Sequence, residues 1–176
     1  MSVAIVGLGT GSDLNAQAAT IVESAELLVG GTRQLALVAD RCPNAQTWDL
    51  TGRLRQIVPT VSGAVQNGQS VAILASGDPL FYGVGSYLFG KLADAGIVPE
   101  IHPAPSAIAV AAARLGWKWN DAFVHSCHGR PMGNVAALLR HHGKMAIYTD
   151  ETNGPSEIGA RLRDADIAEG TAHIAE

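Results

Sequence analysis

The chain has 176 residues, of which 47% are hydrophobic and 16% charged, and its 12 basic and 16 acidic residues give a net charge of −4. This supply of apolar residues suits the core of one ordinary domain or two small ones and excludes an intrinsically disordered chain. The negative balance argues against a nucleic-acid binder that works by neutralising phosphates, because such domains are usually basic.

The sequence contains two cysteines, Cys42 and Cys127. They are too few for a disulfide framework and form no Cys-x-x-Cys pair, so neither a disulfide scaffold nor a structural zinc site is expected. The longest run of small apolar residues, 107–113, is far shorter than the roughly 20 residues that cross a membrane. We therefore expect a cytoplasmic protein with no membrane partner.

Strand-like and helix-like segments alternate through the first half of the chain. Short apolar runs predict strands at 3–6, 27–29 and 71–75, and a further strand is predicted at 100–102. Apolar residues at helical spacing predict a first helix that begins after Asp13, a second over 54–65 that Pro59 should kink or shorten, and a third over 85–95.

A boundary is predicted in the middle of the chain, because Pro103-Ala104-Pro105 cannot lie inside a helix. Ser106 then begins an alanine-rich helix that ends near Leu115. Beyond it, strands are predicted at 122–127 and 145–148 and helices at 134–140 and 155–163. Alternation of this kind implies parallel sheets, so we predict two α/β lobes, 1–105 and 106–176.

A glycine-rich loop, Gly7-Leu8-Gly9-Thr10-Gly11, lies between the first strand and the first helix. This is the setting of a dinucleotide-binding turn, but Ser12 replaces the third glycine of that pattern. No acidic residue ends the second strand, where Gly30-Gly31 stands instead of a ribose partner. A nicotinamide enzyme is thus a minority alternative, beside a tight turn that lets the backbone approach a neighbour closely.

A second loop, Ser76–Gly83, follows the most strand-like run and is called the Gly-Asp-Pro loop below. Ligands of open parallel sheets bind beyond the carboxyl ends of strands, which is where this loop lies. Gly77 allows close backbone approach, Asp78 can accept hydrogen bonds, and Phe81 offers a flat apolar surface. The alternative is an ordinary Asp-Pro turn whose aromatic residues belong to the core.

Together these segments resemble the tetrapyrrole methylase family. The matching motifs occur in the family's order and span nearly the whole chain, with Thr10 at a position where many members have proline. In chain order they are Gly7–Gly11, Leu28–Arg33, Ala75–Gly83, Pro103–Ala107, Arg114–Trp119 and His128–Pro131.

The resemblance implies a fold of two α/β lobes that bind S-adenosylmethionine in a cleft between them, mostly through backbone contacts, and usually a homodimer. It also implies that the second lobe is truncated at its C-terminus, since residues 173–176 fall within an expected strand. By position, the residues that would line the cofactor pocket are Leu8, Gly9, Thr10, Ser76, Gly77, Asp78, Phe81, Ser106, Ala107 and, on a weaker match, Tyr148 and Thr149.

Within the family the chain is most similar to members that methylate C5 of a precorrin in cobalamin biosynthesis. In those systems a separate portion or subunit decarboxylates the substrate and methylates C15. Precorrins carry many carboxylates, so the resemblance points to Arg33, His128 and Arg130 as substrate-binding residues, with Arg114 a further candidate. The alternative for each is a solvated surface charge. No residue is identified as a catalytic base.

The run His125-Ser126-Cys127-His128 superficially suggests metal ligands. On a strand, His125 and Cys127 would face away from His128, and no second cluster completes a tetrahedral site, so no metal is expected. Two functional alternatives stay open. One is a methylase of the same fold that acts on another precorrin, on RNA or on protein, and the other is a nucleotide-binding module without catalysis.

Overall fold

The computed structural model describes residues 2–11 and 14–175. The chain divides into two compact units: unit 1 ends at Ala107 and unit 2 begins at Ile108. Each unit has a parallel β-sheet and helices, which confirms the predicted α/β class.

Unit 1 contains a five-stranded parallel sheet with the order β3-β2-β4-β1-β5. Its strands are β1 (Val3–Gly7), β2 (Leu27–Gly30), β3 (Gln46–Asp49), β4 (Val71–Ala75) and β5 (Glu100–His102). The helices of this part of the chain are α1 (Ala16–Ser24), α2 (Thr32–Val38), α3 (Ile57–Gln66), α4 (Val84–Asp94) and α5 (Ala107–Arg114), the last running into unit 2.

The three central strands are buried along their whole length, because helices cover both faces of the sheet. Ile5 and Ile73 point to the face covered by α3 and α4. Val6 and Leu74 point to the opposite face, which α1 and α2 cover. Alternate residues of each strand thus belong to different clusters, so continuous apolar runs were the correct signal for these strands.

Two elements of unit 1, α2 and β3, carry no clear sequence signal. Strand β3 lies at the edge of the sheet and consists of Gln46, Thr47, Trp48 and Asp49, none of which is fully buried. An edge strand pairs on one side and needs no apolar run, so its pattern resembles that of a loop. Helix α2 has only seven residues and begins directly after Gly31.

The predicted effect of Pro59, a kinked or shortened helix, is confirmed as a shortening. Residues Leu54–Gln56 form a 3₁₀ turn, and α3 begins at Ile57. Pro59 therefore lies in the first helical turn, where its missing N–H breaks no hydrogen bond. At α1 the cap is Asn15, whose side chain accepts a 2.8 Å hydrogen bond from Ala18 N. The predicted cap, Asp13, lies outside the described residues.

Unit 2 contains a two-stranded parallel sheet formed by β6 (Phe123–Ser126) and β7 (Met145–Tyr148). Helix α6 (Val135–His142) connects the two strands, and α7 (Pro155–Asp164) follows the second. Asn134 caps α6 by accepting from Ala137 N, and Pro155 occupies the first turn of α7, where proline is favoured.

The strand expected near the end of the chain is absent from the described residues. Residues 168–175 have no regular structure and are exposed to solvent. Ile174, the large apolar residue of the stretch 173–175, is 67% exposed, so no burial against a sheet stabilises a strand there, and Glu176 lies outside the described residues. Within the described parts of the chain, no helix has the length and apolar character needed to span a membrane.

The packing of β4 predicts which truncations destabilise unit 1. Ile73 is fully buried between β1, β2, α3 and α4, and Ile73→Ala should lower the free energy of unfolding by about 2–5 kcal/mol. Val98→Ala is the control, because Val98 is 74% exposed and its truncation should change the value by less than about 0.5 kcal/mol. Urea unfolding followed by circular dichroism measures both, and equal effects would contradict the assigned core.

Candidate functional site

Three loops of unit 1 follow the carboxyl ends of three neighbouring strands. The glycine-rich loop follows β1, the Gly-Asp-Pro loop follows β4, and Pro103–Ser106 follows β5. After β1 the chain crosses past the position of β4 to reach β2, and after β4 it crosses in the opposite direction past β1 to reach β5. Such a reversal of direction marks the ligand-binding edge of open parallel sheets. All three loops had been singled out from the sequence, and the sheet brings them together.

The backbones of these loops are in direct contact. Leu8 N donates to Ala75 O and Gly77 N donates to Gly9 O, each at 2.8 Å. Gly9 and Gly77 have φ values of +61° and +58°, which favour glycine. A Cβ atom on Gly7 would lie 2.5 Å from Gly77 O and 2.9 Å from Ala104 N. Gly7 is therefore the point at which all three loops meet, and the loops form one platform of backbone.

The Gly-Asp-Pro loop is held by its own aspartate. Asp78 Oδ1 accepts a 2.8 Å hydrogen bond from Leu80 N, and Asp78 O accepts one from Phe81 N at 3.2 Å. The far end of the loop is compact as well, because a Cβ atom on Gly83 would lie 2.5 Å from Pro79 O. Asp78 thus forms the Asp-Pro turn that was considered as the alternative, and the turn fixes the shape of the loop.

The aromatic residues of this loop lie at the surface, so the alternative that they belong to the core is wrong. Leu80, Phe81 and Tyr82 are 50%, 37% and 41% exposed. The rings of Phe81 and Tyr82 meet edge to face with 5.3 Å between their centroids. A folded loop that presents apolar rings to solvent provides a surface on which a flat ligand can lie.

Helix α2 contacts the platform through Gln34, which sequence reasoning missed. Gln34 Nε2 donates a 2.6 Å hydrogen bond to Ser76 Oγ. A Cβ atom on Gly31 would lie 2.6 Å from Gln34 Oε1, so the pair Gly30-Gly31 leaves room for this side chain. The glycine pair was the signal that could have located Gln34, had the short helix after it been recognised.

The start of α2, which carries the predicted substrate residue Arg33, is fixed by Asp49 at the end of β3. Asp49 Oδ2 accepts from Thr32 Oγ1 at 2.6 Å and Asp49 Oδ1 from Thr51 N at 2.8 Å. The Thr32 hydroxyl, followed by the donors of Thr51, lowers the pKa of Asp49 to about 2. Arg33 itself is exposed at this sheet edge.

In unit 2 the predicted residues lie on two neighbouring loops. His128 and Arg130 follow β6, and Tyr148 and Thr149 end β7 and begin the loop after it. His128 Nδ1 is 3.0 Å from Thr149 O. A carbonyl oxygen only accepts, so Nδ1 carries the proton of this hydrogen bond. Arg114 is the exposed last residue of α5.

The predicted cofactor residues are therefore divided between the units. Those of unit 1 lie on the platform. A Cβ atom on Gly77 would lie 3.5 Å from Ser106 Cα and 3.8 Å from Ala107 N. Tyr148 and Thr149 belong to unit 2. The cofactor and substrate roles of all these residues stay predictions. The residues of unit 1 concerned are Leu8, Gly9, Thr10, Ser76, Gly77, Asp78, Phe81, Ser106 and Ala107.

The side chains of His125 in β6 and of Cys127 just after it contact backbone. His125 Nε2 lies 3.0 Å and Cys127 Sγ 3.9 Å from the same atom, Met132 O. Burial raises the pKa of the Cys42 and Cys127 thiols, both of which are free. Over residues 2–11 and 14–175, no three His, Cys, Asp or Glu side chains are grouped as metal ligands.

Comparison with known proteins places the chain in a family. Residues 2–176 match the family of tetrapyrrole (corrin/porphyrin) methylases, and the chain belongs to it. This confirms the resemblance found in the sequence and the α/β fold that it implied.

Three named relatives are similar to the chain over more than nine tenths of its length. A precorrin-6Y C(5,15)-methyltransferase (decarboxylating) of Sinorhizobium is 33% identical over 98% of this chain and 41% of its own length. The cobalt-precorrin-7 C(5)-methyltransferase of Salmonella typhimurium is 33% identical over 96% of this chain and 79% of its own. The solved precorrin-6Y methylase of Archaeoglobus fulgidus is 28% identical, covers 92% of this chain and 78% of its own, and superposes with a TM-score of 0.65. The chain thus spans less than half of the Sinorhizobium protein.

The contact at Gly7 predicts a steric effect. In Gly7→Ala the new methyl group would overlap Gly77 O and Ala104 N, so the loops must separate, and we expect a loss of about 1–3 kcal/mol of unfolding free energy. Gly11→Ala is the matched control, since no atom lies within 4 Å of a Cβ there. Chemical denaturation compares the two variants. A Gly7→Ala protein as stable as Gly11→Ala would show that the loops do not meet at Gly7.

The lowered pKa of Asp49 predicts a pH dependence. Because the folded-state pKa of Asp49 lies below its ordinary value of 3.8, the stabilisation it gives is complete above that value and is lost as the pH falls toward 2. Carboxyl ¹³C NMR should give a pKa near 2 for Asp49 and a higher one in Thr32→Val, which removes the hydroxyl donor. An unchanged pKa in Thr32→Val would contradict this cause.

Proposed function

We propose that this chain transfers a methyl group from S-adenosylmethionine to C5 of a precorrin in cobalamin biosynthesis. The observation that carries the proposal is the convergence of three family motifs at the carboxyl ends of β4, β1 and β5. The names of the Sinorhizobium and Salmonella relatives, both of which include C5 methylation, support the position of transfer.

The platform of unit 1 suits S-adenosylmethionine. Glycine at positions 7, 9 and 77 lets the backbones of the three loops pack against one another, and the exposed ring of Phe81 gives apolar area for the adenosyl group of the donor. We assign the unit 1 residues named above to this role. Tyr148 and Thr149 are proposed as further contacts on the weaker sequence match.

The donor supplies a methyl group already activated by the sulfonium charge. The residues of the chain then need to hold a carbon nucleophile in line with that methyl group, and alignment of this kind lowers a barrier by several kcal/mol. A bond forms from C5 to the methyl carbon, the bond from the methyl carbon to sulfur breaks, and the meso proton leaves to solvent. No side chain is assigned as its acceptor.

Three exposed basic residues that follow strands of the two units agree with a substrate that carries carboxylates. A precorrin carries several carboxylates, and Arg33, His128 and Arg130 are exposed residues that can pair with them. Arg33 lies in the first turn of α2, whose start Asp49 fixes. We propose these three as substrate residues.

The partners follow from the coverage of the relatives. The chain matches part of a protein named for both C5 and C15 and most of one named for C5 alone. We therefore propose that decarboxylation and C15 methylation belong to a separate portion or subunit.

Two further proposals concern assembly and compartment. Tyr87 and Phe89, 42% and 40% exposed on α4, support a homodimer. The free thiols support a reducing cytoplasm.

The decisive assay is incubation with methyl-deuterated S-adenosylmethionine and, separately, precorrin-6Y and cobalt-precorrin-7. We expect one labelled methyl group on the tetrapyrrole by mass spectrometry, located at C5 by NMR. Bulk RNA and protein serve as alternative acceptors. Label on either of these, or tight binding of NAD or ATP without S-adenosylhomocysteine in calorimetry, would overturn the proposal.

Gly77→Val tests the cofactor platform. Its side chain would project toward Ser106 on a backbone with φ +58°, and we expect S-adenosylhomocysteine affinity to fall at least about tenfold, or ~1.4 kcal/mol. Gly68→Val is the matched control. Its φ is +82°, so the backbone strain is comparable, but Gly68 precedes β4 and lies at the amino end of that strand, away from the loop platform. Equal affinities in the two variants would move the cofactor site elsewhere.

A further inference from the structure

The loop that carries His128 and Arg130 is tied to the segment after β7 by two polar side chains, Asp150 and Asn153. We propose that these two residues, here called the clasp, are positioning residues that hold residues 127–130 in the shape in which they bind carboxylates of the tetrapyrrole. This inference rests on the proposed function and deepens it, because it says what presets the substrate-binding loop.

Asp150 anchors the middle of the loop. Its Oδ2 accepts a 2.7 Å hydrogen bond from Gly129 N, 21 residues away in the chain. Its Oδ1 accepts from Thr152 N at 2.9 Å and Asn153 N at 2.7 Å, which fixes the carboxylate on its own turn. These backbone donors, with Gly129 the largest contributor, lower the pKa of Asp150. Gly129 has a φ of +63°, a conformation that this bond helps to hold.

Asn153 anchors the two ends. Its Nδ2 donates to Cys127 O at 3.1 Å and to Arg130 O at 3.2 Å, and it lies 3.3 Å from Asp150 Oδ1. A single amide group therefore bridges the first and last residues of the segment and joins both to the carboxylate. Together with the contact of His128 Nδ1 to Thr149 O, every residue from 127 to 130 is linked to the segment 149–153.

The clasp fixes the backbone while two ionisable side chains remain exposed. His128 and Arg130 are both exposed, whereas Asn153, which donates to Arg130 O, is half-buried. The hydrogen bond to Thr149 O also sets the tautomer of His128 and leaves Nε2 as the nitrogen that can meet a ligand. A loop ordered before binding loses less conformational entropy when it takes up a carboxylate.

The charge of Asp150 is compatible with a site for anions. Its two oxygens receive four N–H donors, from Gly129, Thr152 and Asn153, the last through both its backbone and its side chain. Charge-assisted hydrogen bonds of this kind stabilise a carboxylate locally. The Asp150 carboxylate can therefore hold the loop without a cationic side chain to neutralise its charge.

Two variants test the clasp, with a neighbour as control. Asn153→Ala removes the bridge between Cys127 O and Arg130 O, and Asp150→Asn removes the charge at nearly constant size. Glu151→Ala is the control, an exposed acidic residue between them. We expect both clasp variants to raise the KM and Kd for cobalt-precorrin-7 about tenfold, with kcat, S-adenosylhomocysteine affinity and Tm nearly unchanged, and Glu151→Ala to match the wild type.

An amide NMR spectrum supplies a readout that does not depend on turnover. The Gly129 amide resonance should shift in both clasp variants and not in Glu151→Ala, because Gly129 N donates directly to Asp150 and the Asn153 side chain donates to the same carboxylate. A shifted Gly129 resonance with unchanged tetrapyrrole affinity would overturn the proposal, since the loop would then move without affecting the substrate. Parallel losses of Tm and of affinity for both ligands would also overturn it, in favour of a purely structural role.

Failure of the proposed function has a different signature. A wild-type chain that binds cobalt-precorrin-7 but transfers no methyl group would contradict the proposed activity and leave the binding comparison of the clasp variants intact. A wild-type chain that binds no tetrapyrrole would overturn both.

Discussion

The close approach of three backbone segments at Gly7 is the constraint on which the arrangement of unit 1 depends. A side chain at position 7 would overlap Gly77 O and Ala104 N. Because residue 7 is glycine, the loops after β4, β1 and β5 can contact one another while their strands lie side by side. The buried apolar faces hold the strands in register, and the glycines let that register continue into the loops. Core packing and the loop platform are therefore parts of one arrangement.

Both units fix their loops in the same way, by hydrogen bonds between segments that follow adjacent parallel strands. In unit 1 the link is from Gly77 N to Gly9 O, and in unit 2 it is from Gly129 N to Asp150 Oδ2. A loop at a strand end has backbone groups without a sheet partner, and such groups must bond elsewhere when they lie close to a core. Meeting this requirement from a neighbouring loop also holds the loops in fixed positions at the strand ends.

The sequence predicted the elements whose burial leaves a pattern and missed those whose structure depends on neighbours. Strand β4 was placed at its observed bounds because it is a continuous apolar run that lies between Gly68 and Gly77. Strand β3 and helix α2 were missed, since an edge strand and a seven-residue helix need little apolar sequence. The motifs located the candidate site, but Gln34 and the tautomer of His128 follow from contacts between distant segments, which spacing along the chain does not report.

The position of β1 within the sheet has a consequence for the order in which unit 1 can assemble. Among the strands of unit 1, β1 comes first in the chain, and within the described residues it pairs with β4 (71–75) and β5 (100–102). Its backbone therefore has no sheet partner until most of unit 1 has been synthesised, and loop closure over such separations slows folding. The loop platform around Gly7 is consequently among the last features of unit 1 to form, so the three loops cannot meet in a nascent chain before its sheet is complete.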